Sequence, residues 1–348
     1  MLFCRLKVKP TDSQQAGVSP ALVSPLAGFP HLWAMVVSFV LYPICASGLL
    51  TSIAGPEIGL VAAGLSWVMA IHLIFGVGWM AFQGSWRVLI AGGLAGTAAM
   101  VTSALATSSW MPLGQWIIIL AGGTIFGRRL AVGERPLAAF IKVGVFVAAF
   151  MVAQLLLIWP ELYTIMQTMT SDLVTDSEGY FRKMGYGADA VTQSVEQTRI
   201  VMNTIVRLLP SLMIMSVLSQ LAVGFLILMR LLSQRVGYLV APPFVAWKTP
   251  FLLAPAVIVA AALRFVGVES AAFIGDNILA LLAVCYCIGG LALMEFYLVR
   301  ARFGRVAKSL FYIALFFTQV MGLAVTALMG FIDSFVDFRA RRAAAEQM

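Results

Sequence analysis

The chain has 348 residues, of which 61% are hydrophobic and 11% charged, and its mean hydropathy is +0.96. A soluble domain of this length could not bury so much apolar side chain, so a water-soluble globular protein is excluded. The net charge of +8 does not indicate a nucleic-acid partner, because Lys and Arg fall between the apolar runs and form no patch interleaved with aromatic residues. The composition therefore predicts an all-α, polytopic transmembrane helical bundle of about eight or nine spans in a lipid bilayer, at roughly 20 residues per span.

The N-terminal part of the chain predicts a tail followed by the first half of the bundle. Residues 1–30 contain basic residues, prolines and small polar residues without a compact apolar segment before a cleavage site, which predicts a disordered cytoplasmic tail and no signal peptide. Residues 31–159 contain a series of apolar runs, the last ending at Trp159, and are predicted to form the N-terminal half of the bundle. Within this half, the small residues from Ala91 to Gly96 favour close packing of helices over the lining of a cavity.

Residues 160–207 differ from the rest because they form a long polar stretch in the body of the chain, with the acidic residues Glu161, Asp172, Asp176, Glu178, Asp189 and Glu196. We expect an extracytoplasmic helical excursion with two arms, and a turn marked by Gly179 and residues 185–187. Apolar residues in the second arm recur at steps of three and four, which predicts an amphipathic helix. This helix is expected to continue into the next span despite Pro210.

Residues 208–338 are predicted to form the C-terminal half of the bundle, and residues 339–348 a tail. The predicted spans of this half are residues 208–232, 250–266, 273–299 and 309–332. Three prolines, a Trp and a Lys between Ala241 and Pro250 predict a non-helical interfacial segment.

The distribution of Arg and Lys predicts a multi-pass orientation in a bacterial inner membrane. Under the positive-inside rule, three cation-rich loops face the cytoplasm and residues 160–207 lie outside. The cations of these loops are Arg128, Arg129, Arg135, Arg230, Arg235, Lys248, Arg300, Arg302, Arg305 and Lys308. Nine spans would place the C-terminal tail outside although it carries Arg341 and Arg342, so either one apolar run does not cross or the tail departs from the rule.

Polar side chains within apolar runs are candidates for lining a cavity that binds a small solute or lipid: His72, Gln154, Gln220 and Asn277. Such groups are costly in a membrane and tend to mark functional positions. Each also has a structural interpretation. His72 is then a neutral ring bonded to a backbone carbonyl, the glutamines join helices, and Asp276–Asn277 caps the helix that begins there.

A second group of candidates, Asp333, Asp337 and Arg339, lies where the last span ends. Asp333 and Asp337 are one helical turn apart and share a face. These residues either fix the end of the helix at the membrane interface or form a docking site for a membrane protein partner.

No motif predicts catalysis, a cofactor or a metal site. The G-x-S-x-G, H-E-x-x-H and P-loop patterns are absent from the sequence, and the four cysteines form no pair with histidine at metal-ligand spacing. We therefore expect a protein that is not an enzyme.

Several motifs resemble those of the YybS-like family of bacterial membrane proteins, a domain of unknown function. They are Gly122…Gly127-Arg128-Arg129, Phe244…Trp247…Pro250, Asn277, Gly290, Glu295-Phe296-Tyr297-Leu298 and Gly330-Phe331-Ile332-Asp333…Asp337-Phe338-Arg339. The resemblance covers the chain from about residue 32 and implies no particular activity. The front half is similar to the substrate-binding membrane components of energy-coupling-factor transporters, but this chain has additional spans after the acidic excursion and no vitamin-binding motif.

These patterns predict a transport-related membrane protein that binds a small solute or lipid within its bundle. The alternative is a membrane scaffold or assembly factor that docks a partner through the hairpin of residues 160–207. An apolar stripe at Val191, Val195 and Met202 would favour docking if it were exposed. The sequence patterns identify no particular substrate, energy source or oligomeric state.

Overall fold

A computed structural model describes residues 41–42, 45–46, 56–107, 111–236 and 243–345. The predicted tail of residues 1–30 and most of the first apolar run lie outside these residues. From residue 56 onward the described chain forms α-helices joined by short connections. They are α1 (Pro56–Gln83), α2 (Trp86–Thr107), α3 (Met111–Ala131), α4 (Pro136–Lys183), α5 (Ala188–Val236), α6 (Ala254–Phe265), α7 (Glu269–Arg300), α8 (Arg305–Phe317), α9 (Gln319–Val336) and α10 (Phe338–Ala345).

The fold is an all-α polytopic transmembrane bundle, as predicted. Among the described residues, four segments are long and apolar enough to cross a membrane: Val61–Gln83, Pro136–Lys183, Ala188–Ser233 and Glu269–Arg300. Shorter apolar helices lie at Trp86–Thr102, Phe251–Phe265 and Met321–Val336. Large apolar side chains are exposed on these helices, with Leu157 at 83% and Phe265 at 85%. A lipid environment accounts for such exposure, because water would leave these side chains unfavourably solvated.

The described residues form two compact units, to both of which α4 and α5 contribute. The first comprises the described residues up to Val143 together with Gln220–Leu228. In it α1 and α3 pack closely, since a Cβ at Gly127 would overlap the carbonyl of Gly78, and one at Gly123 would lie 2.8 Å from the carbonyl oxygen of Ile74. The predicted close packing of α2 is confirmed at Gly96, where a Cβ would overlap the buried Trp116 ring, whereas Ala91 and Ala95 are exposed.

The second unit comprises Gly144–Ser219 and Met229 onward. Its α7 packs against α9 through glycines, since a Cβ at Gly290 would overlap the carbonyl of Thr326 and one at Gly330 that of Tyr286. Helix α6 approaches α7 at Gly275, where a Cβ would lie 2.6 Å from the carbonyl oxygen of Ala260. The two contacts between α7 and α9 run in opposite chain directions, so these helices are antiparallel, and α7 contacts both α6 and α9.

Helices α4 and α5 are longer than the spans predicted from the sequence. Helix α4 continues through Pro160 for 48 residues in all, so the first arm of residues 160–207 is part of the same helix as the span before it. Helix α5 runs through Pro210 for 49 residues, which confirms the predicted continuation. The turn between the arms lies at residues 184–187, where Gly185 has a φ of +78°. Gly179 lies inside α4, so its assignment to the turn was wrong.

Two predicted spans of the second unit have different bounds. The span 309–332 is divided into α8 and α9 at Thr318, whose ψ of −6° departs from helical geometry. Helix α7 begins at Glu269 and not at residue 273. Its first turn is formed by residues that were predicted to belong to the polar connection after α6. Asp276 and Asn277 therefore lie about two turns inside α7, and the interpretation that they cap this helix was wrong.

Candidate functional site

The turn of α5 that contains Pro210 is held by two consecutive side chains of α7, Asp276 and Asn277. Pro210 has no N–H, so it interrupts the hydrogen-bond ladder of α5 in this turn. Asn277 Nδ2 donates to the carbonyl oxygen of Arg207 at 2.9 Å, and Asn277 Oδ1 accepts from the N–H of Ser211 at 3.0 Å. In an uninterrupted helix these two backbone groups pair with each other. The Asn277 amide therefore bridges the backbone of α5 beside the proline, and it is 8% exposed.

Asp276 binds the side chain of the same arginine. Arg207 Nε donates to Asp276 Oδ2 at 2.5 Å, and Arg264 Nε of α6 lies 3.0 Å from Asp276 Oδ1. The carboxylate side chain is 18% exposed, so it is well shielded from water. We call Arg207, Ser211, Arg264, Asp276 and Asn277 the kink clamp. It joins α5, α6 and α7 of the second unit, and it contains two cations and one anion.

A cavity of about 440 Å³ opens beside the kink clamp, and Arg207 belongs to both. Its wall comes from α4, α5 and the start of α7, and consists of Trp159, Tyr163, Gln167, Ile200, Asn203, Thr204, Val206, Arg207, Glu269 and Phe273. The Trp159 ring lies 5.4 Å from that of Phe273 and 6.0 Å from that of Tyr163, measured between centroids. The cavity is open to its surroundings, and it combines an aromatic side with amide, hydroxyl and charged groups.

The structure leaves one strong donor beside this cavity unused. Arg207 Nη2 is buried and has no hydrogen-bond partner within the described part of the chain. A guanidinium group keeps its charge at all physiological pH values, so an unpaired buried N–H of this group is costly. Because this nitrogen is closed to solvent, a ligand in the cavity would contact other atoms of the Arg207 side chain, which is 35% exposed.

Asn277 is the predicted cavity residue that the structure connects to this region, but it contacts the backbone of α5 and does not line the cavity. His72 and Gln220 belong to the first unit, and Gln154 to the second, in α4. His72 Nδ1 lies 3.0 Å from the carbonyl oxygen of Val68 in its own helix. This contact favours the structural interpretation of His72, although the bond lies within one helix and not across a pair. Whether these residues share a cavity stays a prediction.

Sequence reasoning missed Arg207 and the aromatic residues around it. Arg207 was overlooked because it lies among the polar residues of the excursion. A cation three positions before a proline, at the start of an apolar run, is nevertheless a signal that the sequence contains. Trp159 and Tyr163 lie where the apolar part of α4 gives way to its acidic part, and aromatic residues concentrate at that level of a membrane protein.

Asp333, Asp337 and Arg339 form a second polar cluster in the same unit, which we call the C-terminal clasp together with Lys248. Arg339 Nη1 donates to the carbonyl oxygens of Val245 and Trp247, both at 2.7 Å. Arg339 Nη2 lies 3.7 Å from Asp333 Oδ2, and Lys248 Nζ 2.7 Å from Asp337 Oδ2. The clasp therefore ties the residues after α9 to the proline-rich segment before α6.

The clasp departs from its prediction in two respects. Asp337 has a left-handed backbone, with φ of 50° and ψ of 62°, and lies after the last residue of α9, so it does not share a helical face with Asp333. Arg339 Nη2 also reaches the carbonyl oxygen of Gly289 at 3.5 Å, and Gly289 lies about 30 Å along α7 from its start. The clasp is thus set against the interior of α7 as well as the end of α9, and its position relative to the membrane interface stays a prediction.

Comparison with known proteins identifies a family. The family model described as a predicted membrane protein family (DUF2232) matches residues 80–334. This range contains the kink clamp and the whole cavity, but ends before Asp337 and Arg339. None of the curated proteins and none of the solved structures matches the chain. The YybS-like resemblance therefore stands at the coarser level of a membrane protein family of unknown function, and the similarity to energy-coupling-factor components stays a prediction.

Proposed function

The chain belongs to this family of predicted membrane proteins, and from that premise we propose that it is a transport-related protein of a bacterial inner membrane, which binds a small solute or lipid and is not an enzyme. The observation that carries the proposal is the cavity beside the kink clamp. Its aromatic residues Trp159 and Phe273 provide an apolar surface, and its polar residues provide donors and acceptors that can fix a ligand's orientation.

The kink clamp gives this cavity a means of responding to a ligand. Arg207 and Val206 line the cavity from the turn of α5 that ends at Pro210, and Asn277 bridges the backbone of that turn. A ligand that contacts Arg207 therefore contacts the part of α5 whose hydrogen bonding is interrupted. Prolines inside membrane helices are common positions of kinks, and neighbouring side chains satisfy the freed backbone groups there. This coupling supports a transport role over simple retention of a ligand.

The test compares a variant that fills the cavity with one that adds the same ring elsewhere. Thr204 lines the cavity, whereas Ile205 is 40% exposed and absent from the cavity wall, and helical geometry turns it about 100° from Thr204. We expect native mass spectrometry of the protein released from lipid nanodiscs to detect a retained small molecule or lipid in the wild type and in Ile205→Trp. Thr204→Trp should lose it while keeping its melting temperature. Equal retention by both variants, or a wild type that retains nothing, would contradict the proposal.

The alternative scaffold function rests on a different surface from the one predicted. Val191 is buried at 4% exposure, and Val195 and Met202 are half-buried, so the predicted stripe packs inside the protein and is not free to dock a partner. Exposed apolar residues instead recur every four positions on α4, at Ile165, Met169 and Leu173. Cross-linking from a photoreactive residue at Met169 in intact cells would capture a partner protein under this alternative, and no protein under the ligand-binding function.

A further inference from the structure

The proline-rich segment before α6 packs well inside the length of α7. A Cβ at Gly289 would overlap the side chain of Thr249, and Thr249 Oγ1 donates to the carbonyl oxygen of Cys285 at 3.2 Å. Arg339 reaches the same level, since its Nη2 lies 3.5 Å from the carbonyl oxygen of Gly289. The C-terminal clasp and the segment that it holds therefore contact one short stretch of α7, between Cys285 and Gly289.

Helix α7 also serves as a ruler for the depth of this stretch in the membrane. Phe273 lies against Trp159, and Trp159 ends the apolar part of α4 at the level where aromatic residues meet lipid headgroups. From Phe273 to Gly289, α7 rises by about 24 Å at 1.5 Å per residue. This rise is less than the hydrocarbon core of roughly 30 Å, and a tilt of α7 shortens the depth further. On this measure the stretch that contacts the clasp lies inside the core.

Irregular backbone and exposed charge occur together at this depth. Residues 247–250 have no helical structure, and the side chains of the Lys248–Asp337 ion pair are 36% and 44% exposed. The Arg339–Asp333 pair of the same clasp is buried by comparison, at 13% and 3%. Irregular backbone and half-exposed charges are not found against lipid tails, but only where protein or a water-filled cavity surrounds them. The exposed side of the clasp is thus unsuited to contact with lipid.

Helix α9 presents an apolar surface at the same level. A Cβ at Gly290 would overlap the carbonyl of Thr326, and one at Gly330 that of Tyr286. Leu328 lies between these two contacts and is 56% exposed, as expected for a side chain that faces lipid. One level of the second unit therefore has a surface suited to lipid on α9 and a charged, irregular surface at the clasp.

We propose that the C-terminal clasp lines a water-filled vestibule, which enters the second unit from the cytoplasmic side and reaches into the hydrocarbon core. The vestibule opens on the side opposite to the ligand cavity, because the cavity lies at the level of Trp159 and the clasp lies nearer the cation-rich loop that follows Arg300. The clasp has two cations and two anions, so it admits water and small polar solutes without a preference set by net charge. The vestibule goes beyond the proposed ligand-binding function, and its test requires no ligand.

The test measures which medium surrounds two positions at the same depth. In a variant whose four native cysteines are replaced by serine, a nitroxide label is attached after Ala246→Cys, in the exposed 3₁₀ turn of the segment, or after Leu328→Cys. Electron paramagnetic resonance in liposomes gives the collision rates with oxygen, which concentrates in lipid, and with water-soluble nickel ethylenediaminediacetate. We expect the nickel-to-oxygen ratio to be several-fold higher for Ala246→Cys, and Leu328→Cys to show the ratio of core lipid.

Three results of this measurement would overturn the vestibule. Low collision rates of Ala246→Cys with both reagents would mean that protein covers the clasp, for example a second copy of the chain. A low nickel-to-oxygen ratio at Ala246→Cys would mean contact with lipid. A high ratio at Leu328→Cys would place the clasp at the membrane interface. Phe244→Cys, at a position 39% exposed in the same turn, takes the place of Ala246→Cys if that variant fails to fold.

The side of the opening is tested with the same cysteine before it is labelled. A small impermeant thiol reagent should react with Ala246→Cys in inverted membrane vesicles and not in intact spheroplasts. Reaction in spheroplasts would contradict an opening on the cytoplasmic side. Because Thr204→Trp tests ligand retention separately, the loss of the vestibule would leave the ligand-binding function standing, and the loss of ligand retention would leave the vestibule standing.

Discussion

Asn277 shows how one side chain can stabilise an interrupted helix. Its amide satisfies the N–H of Ser211 and the carbonyl of Arg207, and Nδ2 also donates to the carbonyl oxygen of Phe273 at 2.9 Å. All of its donor and acceptor groups are thus used on backbone. In a membrane no water replaces these bonds, so their loss leaves polar groups unpaired in an apolar medium.

We expect Asn277→Ala to reduce the free energy of unfolding by about 2 kcal/mol or more, because two buried backbone groups lose their partners at roughly 1–3 kcal/mol each. The measurement is thermal unfolding in a fixed detergent. Asn203→Ala is the control, since Asn203 is an exposed residue of the same α5. Equal melting temperatures for Asn277→Ala and wild type would show that the bridge does not stabilise the kink.

Arg339 donates hydrogen bonds to backbone carbonyl oxygens of the proline-rich segment before α6. Pro243 and Pro250 lack N–H groups, and the segment between them has little regular structure apart from a 3₁₀ turn at Phe244–Ala246. Two of its carbonyl oxygens accept from a single nitrogen of Arg339. A planar guanidinium group can reach several oxygens at fixed angles, whereas an ammonium group acts as a point charge.

Arg339→Lys should therefore loosen residues 243–250 although it keeps the charge. Hydrogen–deuterium exchange of this segment should rise, and the melting temperature should fall. Arg341→Lys serves as the control, because Arg341 is exposed. If the two variants exchange alike, the clasp is held by charge alone and the hydrogen-bond geometry is unimportant.

At the scale of elements, the packing of α7 against α9 depends on the absence of side chains. The two nearest atoms that a Cβ at Gly290 would meet belong to the backbone of Thr326, and Thr326 is 1% exposed. A backbone atom cannot rotate away, so the helices would have to separate. Gly179 of α4 offers a comparison, because it is helical and a Cβ there would have no atom within 4 Å.

Gly290→Ala should lower the free energy of unfolding by about 1–3 kcal/mol through overpacking, whereas Gly179→Ala should raise it by up to about 1 kcal/mol through helix propensity. Thermal unfolding of the two variants under identical conditions gives opposite signs under this prediction. A stabilising effect of both alanines would mean that α7 and α9 lie farther apart than the structure shows.

The sequence predicts elements better than it predicts sites, and the reasons are physical. Twenty-residue apolar runs and positive loops follow from the bilayer itself, so the all-α transmembrane fold was evident from composition. The continuation of α4 through Pro160 was missed, because a proline and an acidic stretch both indicate a helix end. The kink clamp was missed for another reason. It pairs Arg207 with Asp276, 69 residues apart, and no local pattern reveals contacts between distant helices.

At the scale of the whole molecule, contacts within the second unit indicate which positions of α4, α5 and α7 lie on the same side of the membrane. One cavity wall contains Trp159, Arg207 and Glu269, so these positions of α4, α5 and α7 lie on the same side. Helix α7 is 32 residues long, about 48 Å, and exceeds the bilayer core of roughly 30 Å. It therefore carries the chain across to the opposite side before Arg305.

We expect the α4–α5 hairpin to lie outside the cytoplasm and the loop at Arg305 inside, since that loop is rich in cations. In a variant whose four native cysteines are replaced by serine, a cysteine is introduced by Asp176→Cys or Arg305→Cys, both at exposed positions. An impermeant maleimide added to intact spheroplasts should label the Asp176→Cys protein, and the Arg305→Cys protein only after the membrane is opened. Because α7 lies between the two sites, the reverse pattern would invert the orientation, and labelling of both from outside would contradict the crossing of α7.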